Sequence, residues 1–88
     1  METYYEGISV WKRLSSEASV RYNCFRSLRT GKYGVQSADY FRLPIDEKQV
    51  GQFARQFLEL FIEVAPDERC TWFDSLDEAI RAHEEDFS

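Results

Sequence analysis

The chain changes character at Pro44. Before it, arginines and aromatic rings alternate in strand-like runs. After it, apolar residues recur at helical spacing and acidic side chains accumulate. Charge follows the same division: residues 1–45 carry +3, residues 46–65 carry −2 and residues 66–88 carry −6, within a net charge of −5. A cationic strand region joined to an anionic helical region constrains the fold to a sheet with helices packed on it. It also favours oriented contact with a charged partner.

In the first half, Ile8–Leu14 alternates with Ile8, Val10 and Leu14 on one side and Ser9, Trp11 and Arg13 on the other, which predicts a strand. Ser15-Ser16-Glu17 reads as a turn. Val20–Leu28 and Tyr33–Leu43 predict a hairpin closed at Arg29-Thr30-Gly31-Lys32, where Gly31 is free to take positive φ. With Thr30-Gly31 as a two-residue turn, Leu28 faces Tyr33, Arg26 faces Val35, Cys24 faces Ser37 and Val20 faces Phe41. That register gathers Val20, Tyr22, Cys24, Leu28, Tyr33, Val35 and Phe41 on a core face. It leaves Arg21, Asn23, Phe25, Ser27, Gln36, Ala38 and Tyr40 toward solvent.

The second half starts with a helix over Asp46–Ala65, whose stripe is Val50, Phe53, Ala54, Phe57, Leu58, Phe61 and Ile62. Asp46 and Gln49 form a capping-box pattern, and Ile45 and Val50 stand at the positions of a hydrophobic staple. Pro44 and Pro66 bound the segment. Arg69–Phe73 predicts a fourth strand. Ser75, with Glu78 three residues on, then opens a second helix carrying Leu76, Ala79 and Ile80. The expected fold is therefore one α+β domain over 1–88, an antiparallel sheet in the order β-β-β-α-β-α with its helices packed on one face. Residues 1–7 and 84–88 are expected to fray.

Chemical motifs are scarce. Gly31-Lys32 lacks both the earlier glycine and the following Ser or Thr of a phosphate loop, since Arg26 and Tyr33 stand there. His83-Glu84-Glu85-Asp86-Phe87 lacks the second histidine of a zinc-protease helix. Cys24, Cys70 and His83 have no metal-ligand spacing. The carboxylates of the C-terminal region read as a solvated face, although Asp74, Asp77, Glu78, Glu84, Glu85 and Asp86 also suit a basic surface on another protein. No enzyme activity, cofactor, metal or small-molecule substrate is implied. No apolar run approaches membrane-spanning length, and two well-separated cysteines are expected as reduced thiols in the cytoplasm.

The composition points instead to contacts. Rings make up 16% of the chain, more than a domain of this size is expected to bury completely, and Tyr, Trp and Arg are the side chains enriched at binding hot spots. The expected function is that of a small non-enzymatic accessory or regulatory protein acting through protein contacts, including self-association. Trp11, Arg21, Phe25 and Tyr40 are the candidate contact residues. The alternative is a nucleic-acid-binding module that holds phosphates with Arg21, Arg26, Arg29 and Lys32 and stacks bases on neighbouring rings. A pI of about 4.8 weighs against it.

Overall fold

A computed structural model describes residues 3–86. Three strands, β1 (Tyr5–Arg13), β2 (Ala18–Ser27) and β3 (Tyr33–Arg42), are followed by α1 (Glu47–Glu63), the short α2 (Pro66–Arg69) and α3 (Leu76–Asp86). The strands form an antiparallel meander with β2 in the centre. The fold is thus a small α+β architecture with sheet first and helices after. Of the ends expected to fray, residues 1, 2, 87 and 88 lie outside the described residues. Tyr5–Gly7 belong to β1, and Glu84–Asp86 to α3.

Local signals set the helix boundaries. Asp46 caps α1, its carboxylate accepting from the Lys48 amide at 3.0 Å. Ser75 caps α3, its hydroxyl accepting from the Glu78 amide at 3.2 Å. Pro66 opens α2, where its missing N–H costs nothing. The segment expected as a fourth strand joins the sheet only through a single antiparallel bridge, with Tyr33 and Phe73 exchanging two backbone hydrogen bonds of 2.8 Å.

The hairpin corrects the expected register twice. Its connection is wider than a two-residue turn: the Ser27 amide donates to the Lys32 carbonyl, and Gly31, at φ 74°, donates to the Ser27 carbonyl at 2.7 Å. Arg26 therefore faces Tyr33, and Cys24 faces Val35. A bulge then sets Asn23 opposite Ser37 and leaves Gln36 as the extra residue, so Val20 faces Tyr40 and Ser19 faces Phe41. One added residue exchanges faces. Phe41 thereby joins Arg21 on one side of the sheet, and Tyr40 joins Val20 and Tyr22 on the other.

Both sheet faces are used, which corrects the one-face arrangement of helices. Helix α1 lies over the face of Phe25. That ring packs at 5.7 Å from Phe57 and 5.2 Å from Phe61, Tyr5 contacts Phe61 and Trp72, and Phe41 meets Phe53. Alternation puts Tyr22 on the opposite face. There it meets His83 of α3 ring to ring and donates its hydroxyl to Glu84 at 2.8 Å. The Phe25 face, read from sequence as solvent-facing, is thus part of the core.

The chain passes between the two faces beside β3, over Gly34. A Cβ at Gly34 would lie 2.7 Å from Cys70 Cβ and 3.2 Å from the Thr71 carbonyl oxygen. Gly34→Ala is therefore expected to cost about 1–3 kcal/mol through overpacking. Chemical denaturation checks this, and an unchanged midpoint would mean that the crossing segment does not rest on Gly34.

Candidate partner-binding surface

The Phe25 face of the sheet contains a polar row between two ring clusters. Asp39 is 5% exposed. Its Oδ2 accepts from the Arg21 guanidinium at 2.7 Å and from Asn23 Nδ2 at 2.9 Å. Asn23 Nδ2 also donates to Ser37 Oγ at 3.0 Å. The strand register creates this row, since Arg21 faces Asp39 and Asn23 faces Ser37. A buried carboxylate that receives a guanidinium and an amide is compensated in both charge and hydrogen bonding.

Arg21 extends from this row toward the surface. Its guanidinium carbon lies 5.4 Å from the Trp11 ring centroid and 5.1 Å from that of Phe41, and the two rings are 5.6 Å apart. The planar cation is thus fixed by Asp39 and by two aromatic faces. Beside it opens a cleft of about 390 Å³, lined by Trp11, Phe41, Leu43 and Ile45 together with residues of the β1–β2 turn. Leu43 is held against that turn by its amide, which donates to the Glu17 carbonyl at 2.8 Å. Trp11 is 57% exposed, and Leu43 and Ile45 are each 54% exposed. Apolar side chains this exposed around a rigidly held arginine make a surface suited to a partner.

The four contact residues expected from sequence do not form one surface. Trp11 and Arg21 adjoin the cleft. Phe25 is 4% exposed and lies beneath α1, so it serves the core. Tyr40 is exposed on the opposite face of the sheet, beside Val20. The large apolar cleft residues missed from sequence are Phe41, Leu43 and Ile45. Asp39 was missed too, although it is the only acidic residue between Glu17 and Asp46. A lone carboxylate among strand cations is a signal for a buried partner.

The cations proposed to hold phosphates are each engaged by a carboxylate. Arg21 pairs with Asp39, Arg26 with Glu6 at 2.8 Å, Arg29 with Asp67 at 3.6 Å and Lys32 with Asp74 at 3.8 Å. Arg21 and Arg26 also lie on opposite faces, being an odd number of residues apart in one unbroken strand. The hairpin thus supplies no single-faced phosphate track.

On the other face, a second cleft of about 460 Å³ between β3 and α3 is lined by residues that include Gln36, Arg69, His83 and Asp86. Burial lowers the His83 pKa, against the opposing pull of Asp86 and Glu84. Glu84 receives hydrogen bonds from both Lys12 and Tyr22, which hold its carboxyl below its ordinary range. Burial, assisted by Glu84, pushes the Tyr22 hydroxyl up to about 12. Cys24 and Cys70 are free and buried, and desolvation pushes each thiol up to about 11, so both are protonated at neutral pH. Among the described residues, no group of three or more His, Cys, Asp or Glu side chains is placed to hold a metal ion. None of the described helices is long and apolar enough to cross a membrane.

No protein-family model matches the chain, and comparison with curated proteins and with solved structures finds no significant match.

Proposed function

We propose that this chain is a small accessory or regulatory protein that works through protein contacts rather than by chemistry, with the Trp11 cleft as a contact site. The observation that carries this reading is the exposure of Trp11, Leu43 and Ile45 around a cleft whose Trp11 and Phe41 rings also hold the neighbouring Arg21 guanidinium. A rigid aromatic–arginine centre binds at low conformational cost and matches the composition of binding hot spots. The two buried free thiols support a reducing compartment, and we place the protein in the cytoplasm.

Trp11→Ala combined with Leu43→Ser removes exposed apolar area and spares the Phe25 ring cluster. Tagged wild type and this double variant serve as parallel baits in native lysate, each with and without nuclease, with thermal unfolding confirming that both are folded. A nuclease-resistant protein recovered at stoichiometric level by wild type is expected to fall at least about tenfold with the variant, since each truncated hot-spot side chain removes 1 kcal/mol or more. Equal recovery by both baits would remove the cleft from the interface. Recovery that collapses on nuclease treatment would transfer the function to nucleic acid.

A further inference from the structure

We propose that a second copy of this chain docks along the free edge of β1, antiparallel across a twofold axis at Ser9, so that two three-stranded sheets become one continuous sheet. This rests on the protein-contact reading above and names one of its partners. Strand β1 is an edge strand nine residues long, paired without interruption to β2 and containing neither proline nor bulge. Such edges are usually blunted, because their unpaired backbone groups are a template for another strand. The Tyr4 carbonyl accepts from the Leu28 amide at 3.0 Å and so points toward β2. Alternation then turns the N–H and C=O groups of Tyr5, Gly7, Ser9, Trp11 and Arg13 outward.

Self-pairing at Ser9 uses all of these outward groups. Tyr5 meets Arg13 of the second copy, Gly7 meets Trp11, and Ser9 meets itself. Between them, Ile8 faces Val10 and Glu6 faces Lys12. Moving the twofold by one residue, to Ile8 or Val10, the neighbouring registers compatible with the outward groups, sets Glu6 opposite Val10 or Lys12 opposite Ile8 and loses the charge match. Nothing lies within 4 Å of a Cβ built on Gly7, which leaves room for the indole opposite.

The charges extend the match. Glu6 already binds Arg26, and Lys12 already binds Glu84, while their side chains remain 53% and 55% exposed. Across the twofold they form the alternating row Arg26, Glu6, Lys12, Glu84, repeated by symmetry. Like charges opposite one another in a sheet repel, and unlike charges contribute favourably.

Exposed area supplies the second argument. The accessible surface is 6354 Å², against roughly 5,400 Å² expected for a compact monomer of 10.4 kDa. The radius of gyration is 13.6 Å, against about 12 Å for a compact chain of this length. The excess of roughly 1,000 Å² is comparable to the ~800 Å² that each partner buries in a standard interface. Part of it lies beside the same edge. Phe61 of α1 contacts Tyr5 of β1, and Leu58 and Ile62 continue that apolar stripe while 56% and 77% exposed. A twofold through β1 puts both α1 helices on one face of the joined sheet, with these stripes flanking the seam.

Sedimentation equilibrium of the full chain over a wide concentration range is expected to show a monomer–dimer equilibrium. Glu6→Lys and Lys12→Glu each place like charges opposite one another at both ends of the seam. Each should weaken the dimer about tenfold. An equimolar mixture of the two variants should restore it, because every clash becomes an attraction in the mixed pair. Loss of an intramolecular ion pair cannot produce that rescue. If either swap unfolds the chain, Ser9→Pro decides instead: it removes the outward N–H at the twofold, is tolerated on an edge, and should yield a folded monomer. A strictly monomeric wild type would overturn the proposal, while a lysate partner that depends on Trp11 would still stand. A dimer unmoved by the swaps and by Ser9→Pro would overturn β1 pairing.

Discussion

Phe25→Ala is expected to lower the free energy of unfolding by about 3–5 kcal/mol. The ring is 4% exposed and contacts Tyr5, Phe57 and Phe61, so its removal leaves a cavity against three other rings. For a chain of this length the whole stability is about 4–13 kcal/mol, so the variant is expected to be partly unfolded at moderate temperature. None of the α1 residues is fully buried, so the helix is held by a few ring contacts and loses a principal one. Urea denaturation followed by far-UV circular dichroism measures the effect. Tyr40→Ala is the matched comparison: that ring is 49% exposed on the other face, and its removal should cost less than about 1 kcal/mol. Equal costs at the two sites would contradict the strand register described above, because only that register gives one ring to the core and leaves the other at the surface.

Asp39→Ala should destabilise by about 2–4 kcal/mol. Breaking a buried ion pair costs more than this when both partners are fully enclosed. Here the Arg21 side chain keeps 23% of its exposure, which lets water recover part of the loss. Asn23, itself 5% exposed, loses an acceptor for its amide at the same time. Arg21→Met tests the coupling, since it removes the charge and retains an apolar stem between Trp11 and Phe41. The double variant Arg21→Met with Asp39→Ala should be less damaged than the sum of the singles by about 0.5–3 kcal/mol. Strict additivity would mean that the two side chains contribute independently and that Asp39 does not hold Arg21 in place. The same variants bear on binding: an arginine freed from Asp39 loses its fixed position between the rings, so partner affinity should fall even where the fold survives.

Much of the architecture was legible in local sequence because local physics decided it. Asp46 and Ser75 are caps, and a side chain that satisfies an orphan amide does so in any tertiary setting. Pro44 and Pro66 bracket α1, because proline excludes its own N–H from a helical ladder and pushes its predecessor into extended backbone. Gly31 marks the hairpin connection, where its positive φ is used. These signals and the two periodicities of the apolar residues determined an α+β chain with its sheet before its helices.

Tertiary structure decided which side of the sheet became core, and hence where a contact site lies. Gln36 carries no sequence mark of a bulge, and its Nε2 donates to the Phe57 carbonyl at 3.2 Å once α1 is in place. The extra residue exchanged Phe41 with Tyr40 and placed Asp39 opposite Arg21. The side-chain period of a strand is two residues, so a slip of one inverts every assignment beyond it. Alternation along β2 was visible and separated Tyr22 and Cys24 from Phe25, but it gave only the first face to the core, whereas both are buried. Coverage of both by separate helices depended on the chain crossing at Gly34, a long-range contact that no periodicity encodes. The gathering of Trp11, Phe41, Leu43 and Ile45 around one cleft likewise depends on tertiary structure, since these residues meet only after the register has been set.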